Sequence, residues 1–208
     1  MAVDLSRFVT PRHTAVLTME VQRGVIGDLS TMSDLAKEAT EANLIPTIAR
    51  LVGEARSAGV SIVHCTASFR PDGASTPRNA PIITAMLRRP DHLVEGTRAV
   101  ELVSELGPEP TDYISNRRHG LSPFGGTSLD ATLRGLGVTT VIPTGVSLNI
   151  AIPGLAIEAV NYGYRVVLPT DAVCGVPADY GRLVLKNTMA FVATLTTTDE
   201  LISCWTKV

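Results

Sequence analysis

Three separated stretches of this chain place polar, chemically capable residues where a strand is expected to stop. Glu20 closes the apolar run HTAVLTME, and Gln22 follows two residues on. Arg117, Arg118 and His119 begin the loop RRHGLSPFGGT directly after DYISN. Val146, Ser147, Leu148, Asn149 and Ile150 join the run VTTVIPTG to a helix that opens at Ala151. A carboxylate at a buried strand end can be tuned for general acid or base work. A guanidinium beside it can keep that carboxylate ionised and grip a substrate carboxylate through two parallel N–H bonds. An imidazole at His119 can carry protons near neutrality. Backbone N–H groups at a helix N-terminus form an anion site that needs no side chain. Each feature also has a structural reading: a loop-start Glu, a solvated pair of Arg, a His bonded to a backbone carbonyl, and Ser147 and Asn149 as helix caps.

The elements that must position these groups alternate. Strands are expected at residues 13–20, 60–66, 112–116, 138–144, 164–168 and 193–198, where β-branched and apolar residues run together with few charges. Helices are expected over 31–59, 97–106, 127–136, 151–162 and 178–189, with Pro46 and Pro153 in first turns and Gly59, Gly137 and Gly163 as stops. Thr127 is a candidate N-cap, and residues 67–89 read as a long polar loop. Residues 138–167 form a βαβ unit with an expected right-handed crossover. Alternating strands and helices predict an α/β doubly wound fold in one domain spanning 1–208, with ligand chemistry beyond the C-terminal strand ends.

The stretch GVSLNIAIPGLAIEAVNYGYRVVLPTDAVCG resembles the nucleophile region of the isochorismatase-like hydrolases, which include nicotinamidases and N-carbamoyl amide hydrolases. Counting from Gly145, the family's Cys position is Ala151, and Ala159, Gly163, Tyr164, Asp171 and Ala172 keep the register without a gap. VLTMEVQRG resembles the family's first motif, with Glu20 at the Asp position and Gln22 matching its Gln. DYISNRRHGLSPFGGTSLD resembles the second, with Ser122, Phe124, Thr127 and Leu129 matching. Its Lys is replaced by Arg117 when counted from Asp112, or by Arg118 when counted back from Phe124; Arg117 is preferred and Arg118 stays open. The resemblance implies a three-layer α/β/α Rossmann-like sandwich with a six-stranded parallel sheet in the order 3-2-1-4-5-6. It also implies a cis Val146–Ser147 peptide, an oxyanion hole of backbone N–H groups near Ala151, and a homo-oligomer. Gln22, His119, Phe124, Val146, Ser147, Asn149 and Ile150 are then the substrate-binding candidates, beside Glu20, Arg117, Arg118 and the substituted position Ala151.

The 208 residues carry a net charge of −2 and no run of Lys or Arg, which disfavours nucleic acid or an anionic membrane as partner and favours a small molecule. No apolar run is long enough for a membrane span and the first residues lack a signal-peptide layout, so a cytoplasmic location is expected. Cys65, Cys174 and Cys204 are widely spaced and read as inert thiols. His13, His64 and His92 have no partners at ligand spacing, and the Asp-x-His layout of nicotinamidases is absent after Cys65, so neither metal nor cofactor is expected. No Gly-x-Gly-x-x-Gly follows the first strand, which weighs against a dinucleotide module. Without a thiolate the covalent amidase route is closed. The family's isochorismatases cleave a vinyl ether with an acid and no thiol, so Glu20 with an Arg leaves hydrolysis of a small carboxylate-bearing metabolite open. The alternative is a non-catalytic member that binds a metabolite or serves in an oligomer.

Overall fold

A computed structural model describes residues 4–206. The apolar runs become the strands β1 (Thr14–Met19), β2 (Ser61–Ala67), β3 (Tyr113–Arg117), β4 (Thr140–Val146), β5 (Arg165–Pro169), β6 (Val173–Cys174) and β7 (Thr194–Thr196). The sheet runs β3-β2-β1-β4-β5-β7, with β6 paired to β4, and every pairing is parallel. The expected order therefore holds with β7 as its sixth strand. The unexpected strand is β6, which pairs only Val173 with Gly145 and Cys174 with Val146. Two residues are too short to leave an apolar run in the sequence.

Every residue of β1 and of β4 is buried, because helices cover both faces of the sheet. Side chains alternate across β1: Val16 packs with Ile48, Leu51 and Val52 of α2 (Leu44–Ser57), while Ala15, Leu17 and Met19 pack with Leu155 and Ala156 of α5 (Ala151–Asn161). The first layer also holds α1 (Ser33–Glu41) and the Trp205 end of the C-terminal helix; the other holds α4 (Leu129–Gly135). No described helix is long and apolar enough to cross a membrane.

Four local expectations change. The helical stretch 31–59 is two helices, broken at Asn43, which takes a left-handed φ of 51°. The loop 67–89 contains a short helix, α3 (Pro81–Met86). Ser128, not Thr127, stands at the N-cap of α4, and the Thr127 hydroxyl accepts from Leu129 N–H at 3.1 Å. Residues 97–106 are not a helix but two single 3₁₀ turns, Arg98–Val100 and Ser104–Leu106. Tertiary bonding overrides helix propensity there: Ala99 O accepts from Gly24 N–H at 2.8 Å, Glu101 O from Arg23 N–H at 2.8 Å, and Val103 N–H donates to Val21 O at 3.2 Å. At the C-terminal end, α6 (Ala178–Val184), a π turn and α7 (Ala190–Val192) precede α8 (Thr198–Trp205). Thr197 and Glu200 form a capping box for α8, a T-x-x-E signal that the chain carries openly.

His64 is spent on the core. Its Nδ1 lies 2.8 Å from Thr18 Oγ1 and its Nε2 3.2 Å from Asp112, which also pairs with Arg56 at 2.6 Å. Burial, partly opposed by Asp112, holds this imidazole below its usual pKa.

Candidate active site

The end of β1 delivers Glu20. Its N–H donates to Cys65 O at 2.9 Å, and its φ of 54° lies in the left-handed region that side chains other than glycine rarely adopt. Such a conformation costs about 1–3 kcal/mol and survives where the surrounding structure over-determines it, as at functional sites. Arg117, the last residue of β3, reaches over the end of β2, and its Nη2 donates to Glu20 Oε1. The two residues are 97 apart in sequence. Arg117 is 5% exposed, its Nε donates to Gly120 O at 3.4 Å, and its Nη1 is buried without a hydrogen-bond partner. A buried donor left unpaired costs about 1–3 kcal/mol, which an incoming oxygen would return.

Strand alternation sends the next residue the other way. Arg118 is exposed and pairs with Glu95, so it does not share the Glu20 position that Arg117 occupies. His119 is half-buried against Gly126, where an added Cβ would lie 2.5 Å from the His119 ring.

The β4 turn comes close to the same strand end. Gly145 has a φ of 99°, and a Cβ there would lie 2.2 Å from Met19 O, so only glycine fits. The Val146–Ser147 peptide is cis. Ser147 O then accepts from Ile150 N–H at 3.3 Å and Ile152 N–H at 3.0 Å. Ala151 opens α5; Ile152 N–H is taken by Ser147 O, Pro153 has no N–H and Gly154 N–H donates to Ile150 O at 2.9 Å, which leaves the Ala151 N–H at the helix start. Its methyl group is buried at 6% exposure and offers no nucleophile.

Of the residues expected to bind substrate, Val146 is fully buried in the core at the end of β4, and Gln22, Phe124 and Asn149 bond or stack within the protein. Gln22 is fully buried: its Nε2 donates to Ala67 O at 3.0 Å and Val100 O at 2.8 Å, and its Oε1 accepts from Ala67 N–H at 2.8 Å. It laces the ends of β1 and β2 to the 98–100 turn. Phe124 is buried and stacks on Tyr162 and Tyr164, with ring centroids 5.2 and 6.0 Å away. Asn149 uses both ends of its amide on Val176, accepting from its N–H at 2.9 Å and donating to its carbonyl. Ser122 donates to Glu158 on α5. Ser147, Asn149 and Ile150 line a cleft of about 700 Å³ together with Thr31, Leu35, Arg89 and Pro90.

In the sequence, His92 is weighed only as a metal ligand. It is 2% exposed; its Nδ1 lies 2.7 Å from Oγ1 of Thr31, a cleft residue, and its Nε2 is buried without a partner. Burial and the nearby Arg89 hold its pKa below the usual imidazole range, with Glu20 pulling the other way. A lone His with no ligand-spaced partner carries no signal in sequence. Its neighbours here come from distant segments.

Cys65 and Cys174 are both buried. Cys65 is fully buried beside the ion pair, and burial pushes its pKa up to about 12, against Arg117 and together with Glu20. Burial likewise pushes Cys174 up to about 12. A thiolate is the reactive form, so prolonged iodoacetamide treatment of the folded protein is expected to leave both Cys65 and Cys174 unmodified by mass spectrometry. Stoichiometric alkylation of Cys65 in native buffer would show that the ion pair does open to a thiol. Among the described residues, no group of three or more His, Cys, Asp or Glu side chains is arranged to hold a metal ion.

Fold and site together define a three-layer α/β protein whose polar constellation lies beyond the carboxyl ends of a parallel sheet. The chain belongs to the isochorismatase family: residues 14–200 match the isochorismatase domain. It is similar to a ureidoacrylate amidohydrolase of Methylorubrum extorquens, 31% identical over 148 residues that cover 65% of this chain and 59% of that one. A maleamate amidohydrolase of Pseudomonas putida is 28% identical over 129 residues, covering 60% of this chain and 57% of that one. The chain thus spans less than two thirds of the length of these relatives. Among solved structures, a cysteine hydrolase from Pseudomonas syringae pv. phaseolicola superposes with a TM-score of 0.81 at 26% identity, covering 96% of this chain and 95% of that one.

Proposed function

We propose that this protein hydrolyses a small, carboxylate-bearing metabolite without a covalent enzyme intermediate. Glu20 is the general acid or base, Arg117 holds Glu20 and grips the substrate, and the backbone of residues 147–151 receives the oxyanion or the water. The observation that carries this reading is the Glu20–Arg117 pair, in which a buried guanidinium keeps one N–H group unpaired. Amidohydrolase relatives whose named substrates are carboxylates bearing an amide or urea support the substrate class.

On an amide, the Glu20 carboxylate takes a proton from water as the water oxygen bonds to the carbonyl carbon. The carbonyl oxygen, now an anion, meets the Ala151 N–H at the start of α5. The protonated Glu20 then returns its proton to the nitrogen as the C–N bond breaks, leaving an acid and an amine. On a vinyl ether, the protonated Glu20 carboxyl gives its proton to the terminal carbon, water adds to the resulting oxocarbenium carbon and loses a proton to the Glu20 carboxylate, and the hemiketal collapses with C–O cleavage to a carbonyl compound and an alcohol. Both routes use only an acid, a cation and oriented water, which fits a site with a methyl group at position 151.

A panel of maleamate, ureidoacrylate, succinamate, a carboxylated vinyl ether and a carboxylated lactone tests the reading, with products followed by chromatography. Turnover of at least one compound is expected. The substitution at Ala151 favours a second reading, a ligand-binding member without catalysis. Stabilisation by a panel compound in thermal unfolding, with no product from any of the five, would establish that reading in place of the first.

A further inference from the structure

We infer that His92 is a substrate-binding residue of this site, its Nε2 holding a polar oxygen of the substrate between the cleft and Glu20. The inference rests on the hydrolytic reading above and adds a contact that neither the sequence motifs nor the ion pair supplies.

The ring is fastened at one end and open at the other. Nδ1 is tied to Thr31 Oγ1 at 2.7 Å, while Nε2 is shielded from solvent with no protein acceptor or donor. Thr31 and Arg89 line the cleft that Ser147 and Ile150 floor, and Arg89 also donates to Thr31 O. His92 therefore sits behind the cleft wall. It also lies near enough to Glu20 for that carboxylate to act on its charge. A buried polar atom of this kind is normally paired, so His92 Nε2 and Arg117 Nη1 each leave one hydrogen-bond position vacant.

The backbone is bent to place the ring there. Asp91 and Leu93, on either side of it, have φ values of 56° and 51°, both left-handed and neither glycine. The bend is pinned by Phe69, whose N–H donates to Leu93 O and whose carbonyl accepts from Glu95 N–H, both at 2.8 Å. The Phe69 ring lies 6.1 Å from the imidazole and limits its rotation. A neutral imidazole can donate from or accept at Nε2 according to its tautomer, and the Thr31 hydroxyl can adopt either partner role. The position suits a carbonyl or carboxylate oxygen when Nε2 carries the proton.

Two substitutions separate binding from structure. The amide of His92→Asn reproduces Nδ1 and its bond to Thr31 but removes the Nε2 contact; that of His92→Gln reproduces Nε2 and gives up the Thr31 bond. With the five panel compounds as probes, His92→Asn is expected to lower kcat/KM by about 10- to 100-fold, mainly through KM, or to weaken binding by the same factor in calorimetry. His92→Gln is expected to stay within a few-fold of wild type, although it is the less stable of the two in thermal unfolding. Wild-type affinity in His92→Asn, or losses in both variants that follow their unfolding midpoints, would overturn the role of His92 while leaving the hydrolytic reading intact. If wild type neither binds nor turns over any of the five, the hydrolytic reading fails and this inference fails with it.

Discussion

Replacing Glu20 by Gln is expected to lower kcat by about 10²- to 10⁴-fold, the usual contribution of a positioned general acid or base. That corresponds to roughly 3–5 kcal/mol of transition-state stabilisation. The size follows from what the change removes and what it leaves. The amide oxygen of Gln can still accept from Arg117 Nη2, so the hydrogen bond across the end of β2 has a replacement. The proton-carrying function does not. Neither Cys65, which lies beneath with its pKa pushed up to about 12, nor Ala151, a methyl group, can assume it. The measurement is steady-state turnover on the active panel compound, with circular dichroism to establish that the fold is retained. A kcat within three-fold of wild type would remove Glu20 from the chemistry.

Removing the other half of the pair acts first on stability. Arg117→Met leaves the Glu20 carboxylate at a strand end with 15% side-chain exposure and no counter-charge. Breaking a buried pair from one side costs about 3–5 kcal/mol, because the remaining ion has lost its hydration without recompense. For a domain of this size that lowers the unfolding midpoint by roughly 6–20 °C. The double variant Glu20→Gln, Arg117→Met has no orphaned charge and is expected to recover much of the loss, giving a clear coupling between positions 97 residues apart. Single losses that simply add in the double variant would show that the two side chains do not share an environment in solution. The same experiment explains why the pair is informative: buried ion pairs are seldom net stabilisers, so this one points to use rather than to cohesion.

The stretches that were readable share one property, that their local pattern and their tertiary role agree. β1 and β4 are buried on both faces and show as unbroken apolar runs; α5 opens after a Gly-containing turn and stops at Gly163. Counting from Asp112 put Arg117 ahead of Arg118, and it is Arg117 that pairs with Glu20 while Arg118 pairs with Glu95. Residues 97–106 failed because their backbone groups bond to residues 21–24, a competition that no helical periodicity records. Gln22 and Phe124 differ in kind: an amide or aromatic ring beside a site looks the same in sequence whether it faces ligand or ties two segments together. His92 was silent because its meaning depends on Thr31, Arg89 and Glu20 arriving around it.

The order of residues along the chain, then, was enough to determine the layered parallel sheet, the family, and the absence of a thiol at position 151. These are carried by apolar periodicity and residue identity, which are local and survive projection onto a line. Only the folded structure decided which polar atoms are satisfied: that Gln22 and Asn149 are occupied, that Arg118 turns away, and that Arg117 and His92 each keep one nitrogen unpaired. Hydrogen-bond satisfaction is a property of distances between segments remote in sequence, and those distances exist only once the strands have set their register.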